Sequence, residues 1–188
     1  GGRRRRKKNK FKTHIIEIGD TFLFITMSLE KIVSCMKKKT VRENKEVFKL
    51  FFTEFHKAYE GITDESISLI LKKNIFPYRF FTDASRLDVD GSEFLEIFKP
   101  REENLQYFSE SVGLEELEEQ FKTVERIFTD YHVTNAREYH DIYLRCDVMQ
   151  LADVFLAAIK TLWESHHIFL PEYLGMPGAS WAAFLRHD

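Results

Sequence analysis

The residues best suited to chemistry are Tyr143 and Asp147, which stand one helical turn apart in a helix predicted from Asn135 to about His166. At 100° per residue, Asp147 falls about 80° from Tyr139, on a stripe of apolar and aromatic side chains. A carboxylate on a core-facing stripe costs several kcal/mol unless a metal ion, a buried cation or a wet cleft meets it. A metal-binding carboxylate beside a phenol that can orient water suits phosphodiester hydrolysis.

The same periodicity leaves a plainer interpretation open, in which Asp147 is an ordinary hydrogen-bonded aspartate in the core or at the helix edge. Another face of the helix carries polar residues at roughly 300° to 20° from Tyr139, namely Gln150, Asp153, Lys160 and Glu164. This face is predicted to be the solvent side, so Asp153 is expected to lie on the surface.

The elements that position these side chains are mostly helices. Apolar residues at helical spacing predict further helices that begin after a Ser28 N-cap, cover residues 44–59, run from a Thr63 cap to about Lys73, and run from Leu114 to about Tyr131. HIIEI, residues 14–18, followed by Gly-Asp, predicts a short strand. Residues 82–112 are expected to be irregular, and a last short helix is expected to open at Ser180.

Charge divides the chain into a basic arm and an acidic body. Residues 1–12, GGRRRRKKNKFK, hold eight of the 28 Lys and Arg residues and no acid, which leaves 20 basic against 30 acidic residues elsewhere. Such an arm fits phosphate contacts, a nuclear import signal or a solvated, disordered terminus.

The two cysteines, Cys35 and Cys146, are far apart and show no metal-ligand spacing. They fit a reducing, intracellular compartment. No run approaches 18 apolar residues, so no membrane span is expected.

Two segments carry a family resemblance. EYHDIYLRCDVMQLADVF, residues 138–155, resembles the third exonuclease motif of protein-primed family B DNA polymerases, a family of viruses and transposons. PEYLGMPGASWAAFL, residues 171–185, resembles the passage from the exonuclease domain of that family toward the polymerase palm. The resemblance implies that Asp147 binds a catalytic divalent metal and that Tyr143 orients the attacking water.

The segment SLEKI, residues 28–32, is similar to the Ser/Thr-Leu motif with which this family contacts single-stranded DNA. On that basis Ser28 and Leu29 are DNA ligands. Asp20-Thr21-Phe22 is an alternative register for the motif, and the N-cap role of Ser28 is an alternative explanation for that residue.

KNIFPY, residues 73–78, looks like the lysine motif of the family followed by a tyrosine. It implies that Lys73 touches the scissile phosphate and that Tyr78 stacks on or hydrogen-bonds the frayed primer end. Lys72 is an alternative to Lys73. A helix-terminal lysine and a packed tyrosine are the plain structural explanation of the same residues.

The charge pattern predicts a basic disordered arm at 1–13. The resemblance implies part of a 3′–5′ exonuclease domain at 14–170 and the start of the connection to the palm at 171–188. The expected fold class is mostly α with a small N-terminal β element, as part of an RNase H-like α/β domain. Neither the Asp-x-Glu strand nor the Asn-x-x-Phe-Asp segment of the family is found before residue 28, and the palm aspartates are not found either.

The expected function is therefore that of a fragment of a DNA-directed DNA polymerase, which contributes part of a proofreading site and binds the primer strand. Alone it is expected to be inactive, because Mg²⁺ or Mn²⁺ needs the missing carboxylates as well. The implied partners are single-stranded or primer–template DNA and a terminal priming protein. The alternatives are an inert, polymerase-derived nucleic-acid-binding module and a helical interaction module.

Overall fold

The computed structural model of the protein describes residues 27–72, 74–173 and 175–186. The α-helices in these ranges are α1 (Leu29–Met36), α2 (Val41–Val47), α3 (Lys49–Ala58), α4 (Asp64–Ile70), α5 (Gly91–Glu96), α6 (Leu114–Asp130), α7 (Ala136–His166) and α8 (Met176–Leu185). Short 3-10 helices cover Ala84–Asp88, Glu102–Tyr107 and Leu170–Glu172.

The expected α/β fold class is wrong, because the described part of the chain is all-α. It contains no β-strand, and an isolated antiparallel bridge between Asp90 and Asn135 is its only β pairing. The apolar residues there recur at helical spacing, so they are buried by packing helix on helix rather than against an RNase H-like sheet. The strand predicted at residues 14–18 and the basic arm lie outside the described residues.

Side-chain caps set where several helices begin. The Ser28 and Thr63 hydroxyls each accept a hydrogen bond from the backbone amide three residues later, as predicted for α1 and α4. Thr40 and Glu43 form a capping box at the start of α2. The Asn135 side chain caps α7, which ends at His166 and confirms the predicted helix.

The helix predicted for residues 44–59 is broken at Phe48. The backbone of Phe48 leaves the helical region, with φ −106° and ψ 53°, and its side chain is fully buried. The break separates α2 from α3 and exposes the first amides of α3, which have no carbonyl partner within their own helix.

Asp153 of α7 supplies the missing partner. Its two carboxylate oxygens accept hydrogen bonds from the Leu50 amide at 3.1 Å and the Phe51 amide at 2.8 Å. The side chain is buried, with 6% of the residue exposed, so the expectation that Asp153 lies on the surface is wrong. Burial raises the pKa of the Asp153 carboxyl, and the two amide donors oppose that rise.

Phenylalanine dominates the core that surrounds α7. The fully buried aromatic side chains include Phe48, Phe51, Phe52, Phe55, Phe94, Phe98, Phe108 and Tyr139. A smaller apolar cluster joins α8 to the end of α7 through Ile168, Leu170 and Ala179.

Two other expectations need correction. Residues 82–112, expected to be irregular, contain α5 and two 3-10 helices, and Asp83 and Asp90 cap two of these elements. The last helix begins at Met176 rather than at Ser180. None of the helices described here is long and apolar enough to cross a membrane.

We expect Asp153→Asn to lower the free energy of unfolding by about 2 kcal/mol, because an amide can accept only one of the two N–H groups and turns a donor toward the other. Urea unfolding followed by circular dichroism measures the loss. Glu164→Gln is the matched control on the same helix, because Glu164 is exposed and its ion pair with Lys160 is long, at 3.8 Å, and lies at the surface. The control should change the free energy of unfolding by no more than about 0.5 kcal/mol. Equal urea midpoints for the two variants would contradict the assignment.

Candidate functional site

A pocket of about 410 Å³ opens between α1, the residues that follow α4, and the middle of α7. Three segments that are distant in sequence line it. The lining residues are Ser28, Leu29, Glu30, Val33, Ser34 and Lys37 from the first segment, Leu71, Lys72 and Asn74 from the second, and Tyr143, Cys146, Asp147 and Gln150 from α7.

Hydrogen bonds to the end of α4 set the α7 wall of the pocket. The Cys146 thiol and the Gln150 amide both donate to the carbonyl of Ile70, at 3.0 and 3.4 Å. This carbonyl lies in the last turn of α4, where no helical amide follows to satisfy it. Because these two side chains point at α4, Tyr143 and Asp147 fall beside them, at the pocket.

The structure brings four of the six predicted site residues to this one pocket: Ser28, Leu29, Tyr143 and Asp147. Ser28 is also the N-cap of α1, with the Lys31 amide 3.4 Å from its hydroxyl oxygen. Its two interpretations are therefore compatible, since a capping hydroxyl at the pocket edge keeps a second acceptor lone pair.

Lys73 lies outside the described residues. The alternative lysine, Lys72, lines the pocket, and its ammonium group donates to the Thr123 hydroxyl at 3.3 Å.

Tyr78 reaches the pocket through Tyr143. The two phenol oxygens are 2.8 Å apart, and the rings meet edge to face with their centroids 6.2 Å apart. The Phe76 ring packs against both tyrosine rings, with centroid distances of 4.9 Å to Tyr78 and 4.4 Å to Tyr143. With 60% of the residue exposed, Tyr78 presents an aromatic surface that leads to the pocket.

Asp147 lies on the open side of α7, one turn after Tyr143, and is exposed to the pocket rather than packed in the core. Partial desolvation raises the pKa of its carboxyl. Among the described residues it forms no hydrogen bond or ion pair, so no arginine or lysine there neutralises it.

The Tyr143 phenol is held in its neutral form. Burial raises its pKa, and the hydrogen bond with Tyr78 and the nearby Asp147 charge raise it further. At neutral pH the phenol therefore keeps its proton and can donate a hydrogen bond to Tyr78 or to a ligand.

The carboxylates present do not by themselves fit the two-metal centre that the resemblance implies. Within the described part of the chain, no three His, Cys, Asp or Glu side chains are grouped closely enough to hold a metal ion. Asp147 and Glu30 are the acidic residues that line the pocket. A divalent metal site at Asp147 would need further carboxylates.

Sequence reasoning missed several polar residues of the pocket, among them Lys37, Asn74 and Gln150. Asn74 is buried, and its amide nitrogen donates to the Lys72 carbonyl at 3.2 Å, while its Oδ1 has no partner among the described residues. A basic helix end and two amides give no distinctive signal in sequence, because only the packing of α1 and α4 on α7 brings them together.

The chain matches no protein-family description, no curated protein sequence and no solved structure.

We expect Asp147→Asn to leave the free energy of unfolding unchanged or slightly higher, in contrast to Asp153→Asn, because it removes a desolvated charge that has no partner. The folded-state pKa of Asp147 is raised. The stability of the wild type relative to the variant should therefore fall as pH rises from below the ordinary aspartate pKa of about 3.9, and level off above the folded-state pKa. Urea titrations at several pH values measure this difference. A loss as large as that of Asp153→Asn would show that Asp147 has a structural partner.

Proposed function

We propose that the chain is the primer-strand-binding part of a DNA polymerase proofreading site, and that its pocket receives the 3′ end of single-stranded DNA. One observation carries the proposal. A single open pocket is lined by residues from separate sequence motifs: Ser28 and Leu29 at the start of α1, and Tyr143 and Asp147 on α7.

The aromatic surface beside the pocket supports a nucleic-acid ligand. Single-stranded nucleic acid binds on exposed aromatic rings flanked by cations, because every base has a stacking face and every linkage carries a negative charge. Tyr78 is exposed and hydrogen-bonded to Tyr143, and Lys72 lies at the same pocket. A terminal base stacked on Tyr78 would bring its sugar toward Tyr143.

Binding is the part of the proposal that the chain's own residues support, and hydrolysis needs more. Mg²⁺ or Mn²⁺ stays in the hypothesis only together with carboxylates beyond Asp147, as in a complete proofreading site. A terminal priming protein belongs to the same hypothesis through the family resemblance alone.

A second candidate is a helical interaction module, which the exposed apolar side chains favour. Trp163, Trp181, Phe184 and Leu185 are each more than half exposed on α7 and α8. Such a module would engage another apolar surface and would need neither the pocket nor DNA.

We expect Tyr78→Ala to weaken binding of a 5′-labelled oligothymidylate about tenfold, because a base stacked on an aromatic side chain contributes about 1–3 kcal/mol. Fluorescence anisotropy measures the affinity. Tyr78→Phe should stay near the wild type, since it keeps the ring and loses only the bond to Tyr143. Trp163→Ala removes an exposed aromatic elsewhere and serves as the control; an equal effect of Tyr78→Ala and Trp163→Ala would refute the pocket as the binding site.

Salt dependence separates the two candidates. A DNA-binding chain should lose affinity as salt rises, with a log–log slope of about −0.7 for each phosphate neutralised on a single strand. Deleting residues 1–12, which hold eight Lys and Arg residues, should flatten the slope if the arm contacts DNA. Absence of DNA binding at low salt would favour the interaction module.

A further inference from the structure

Two lysines from different segments of the chain line the pocket. Lys37, at the C-terminal end of α1, and Lys72, just after α4, both line it. Neither forms an ion pair with another described residue, although two acidic residues, Glu30 and Asp147, line the same pocket. Two lysines that line one pocket, with the Lys72 ammonium bonded only to a neutral hydroxyl, are placed to meet an anion that comes from outside the chain.

The electrostatics point the same way. Lys37 is half-buried, and its pKa is lowered first by burial and then by repulsion from Lys72. Two like charges near each other in a partly desolvated site disfavour one another, and a bound anion would turn that repulsion into attraction.

The backbone beside Lys37 is held in place by a buried amide. The Asn44 side chain accepts from the Lys38 amide at 2.7 Å and donates to the Lys38 carbonyl at 3.2 Å. Asn44 is 3% exposed, so these bonds are sheltered and tie the end of α1 to α2.

Lys72 is held by two neighbours. Its ammonium donates to the Thr123 hydroxyl of α6 at 3.3 Å, and its carbonyl accepts from Asn74. The backbone beside Lys37 and the side chain of Lys72 are therefore held by separate helices before any ligand arrives, which reduces part of the ordering cost of binding.

We propose that Lys37 and Lys72 form a phosphate subsite, which holds a phosphodiester of single-stranded DNA in the pocket beside Tyr143. The identity of the ligand rests on the proposed function. Lys37 belongs to none of the motifs that suggested that function. An ammonium group is a compact charge with three donors, which suits the several oxygens of a phosphate approached from two sides.

A competing explanation needs no ligand. Lysines at the end of a helix interact favourably with the negative end of its dipole, and Lys37, Lys38 and Lys39 all follow α1. If the helix dipole explains these lysines, replacing Lys37 or the exposed Lys39 should have the same effect on DNA binding. If a phosphate subsite explains them, only Lys37 should matter, because Lys37 lines the pocket and Lys39 does not.

The experiment compares Lys37→Gln, Lys37→Arg and Lys39→Gln in the full chain. The probe is the labelled oligothymidylate, titrated by anisotropy over a range of salt concentrations, and urea unfolding reports the stability of each variant. We expect Lys37→Gln to weaken binding about threefold to fivefold and to make the salt slope shallower by about 0.7. Lys37→Arg should restore most of the slope, and Lys39→Gln should leave it close to that of the wild type.

Inorganic phosphate, followed by its ³¹P line width, tests the subsite without DNA. Broadening by the wild type that Lys37→Gln removes would support the subsite even if DNA fails to bind, and in that case the proposed function alone would fall. DNA binding with the same slope in Lys37→Gln and Lys39→Gln would overturn the subsite and leave the proposed function standing. Loss of both signals in the wild type would overturn both.

Discussion

The arrangement of the described helices depends on the hydrogen bonds that the Asp153 carboxylate accepts from the first amides of α3. It joins two helices whose contacting residues are about a hundred positions apart in sequence, and it does so from a buried position. Two N–H groups at a helix start carry partial positive charge and have no partner in their own helix. A carboxylate there accepts their hydrogen bonds and also interacts favourably with the positive end of the helix dipole. The break at Phe48 makes those amides available.

This contact also sets which side of α7 faces the core. With Asp153 turned toward α3, Gln150 and Cys146 face α4, and the carbonyl of Ile70 receives their hydrogen bonds. Asp147 then falls at the boundary between core and solvent, and four large apolar residues of α7 remain exposed, namely Leu144, Val148, Leu156 and Trp163. The buried face of α7 therefore includes the polar side chains of Gln150 and Asp153, which have partners, beside apolar ones. A carboxylate at the pocket edge therefore carries only a partial desolvation penalty, which is compatible with ligand binding.

Apolar periodicity predicted that Asp153 faces solvent, and this prediction is wrong. The same periodicity placed Asp147 on the apolar stripe, where a wet cleft was one of the expected surroundings, and Asp147 lines the pocket. Periodicity assumes that polar side chains prefer water, and it cannot detect a distant backbone amide that needs an acceptor. The predicted gathering of site residues did not depend on that step. Ser28 and Leu29 meet Tyr143 and Asp147 because α1 packs on α7. Lys37 follows at the end of α1, where the Asn44 side chain holds the backbone of Lys38, a contact that no local pattern indicates.

By itself the sequence determined the local elements. Ser28, Thr63 and Asn135 cap the helices that were expected to follow them, because a capping side chain acts on amides only two or three residues away. Tertiary structure decided the break at Phe48, the face that α7 buries and the set of residues that line the pocket. Each depends on groups brought together from distant segments, such as the Asp153 carboxylate and the α3 amides, and the free energy of such contacts exists only once the chain has packed.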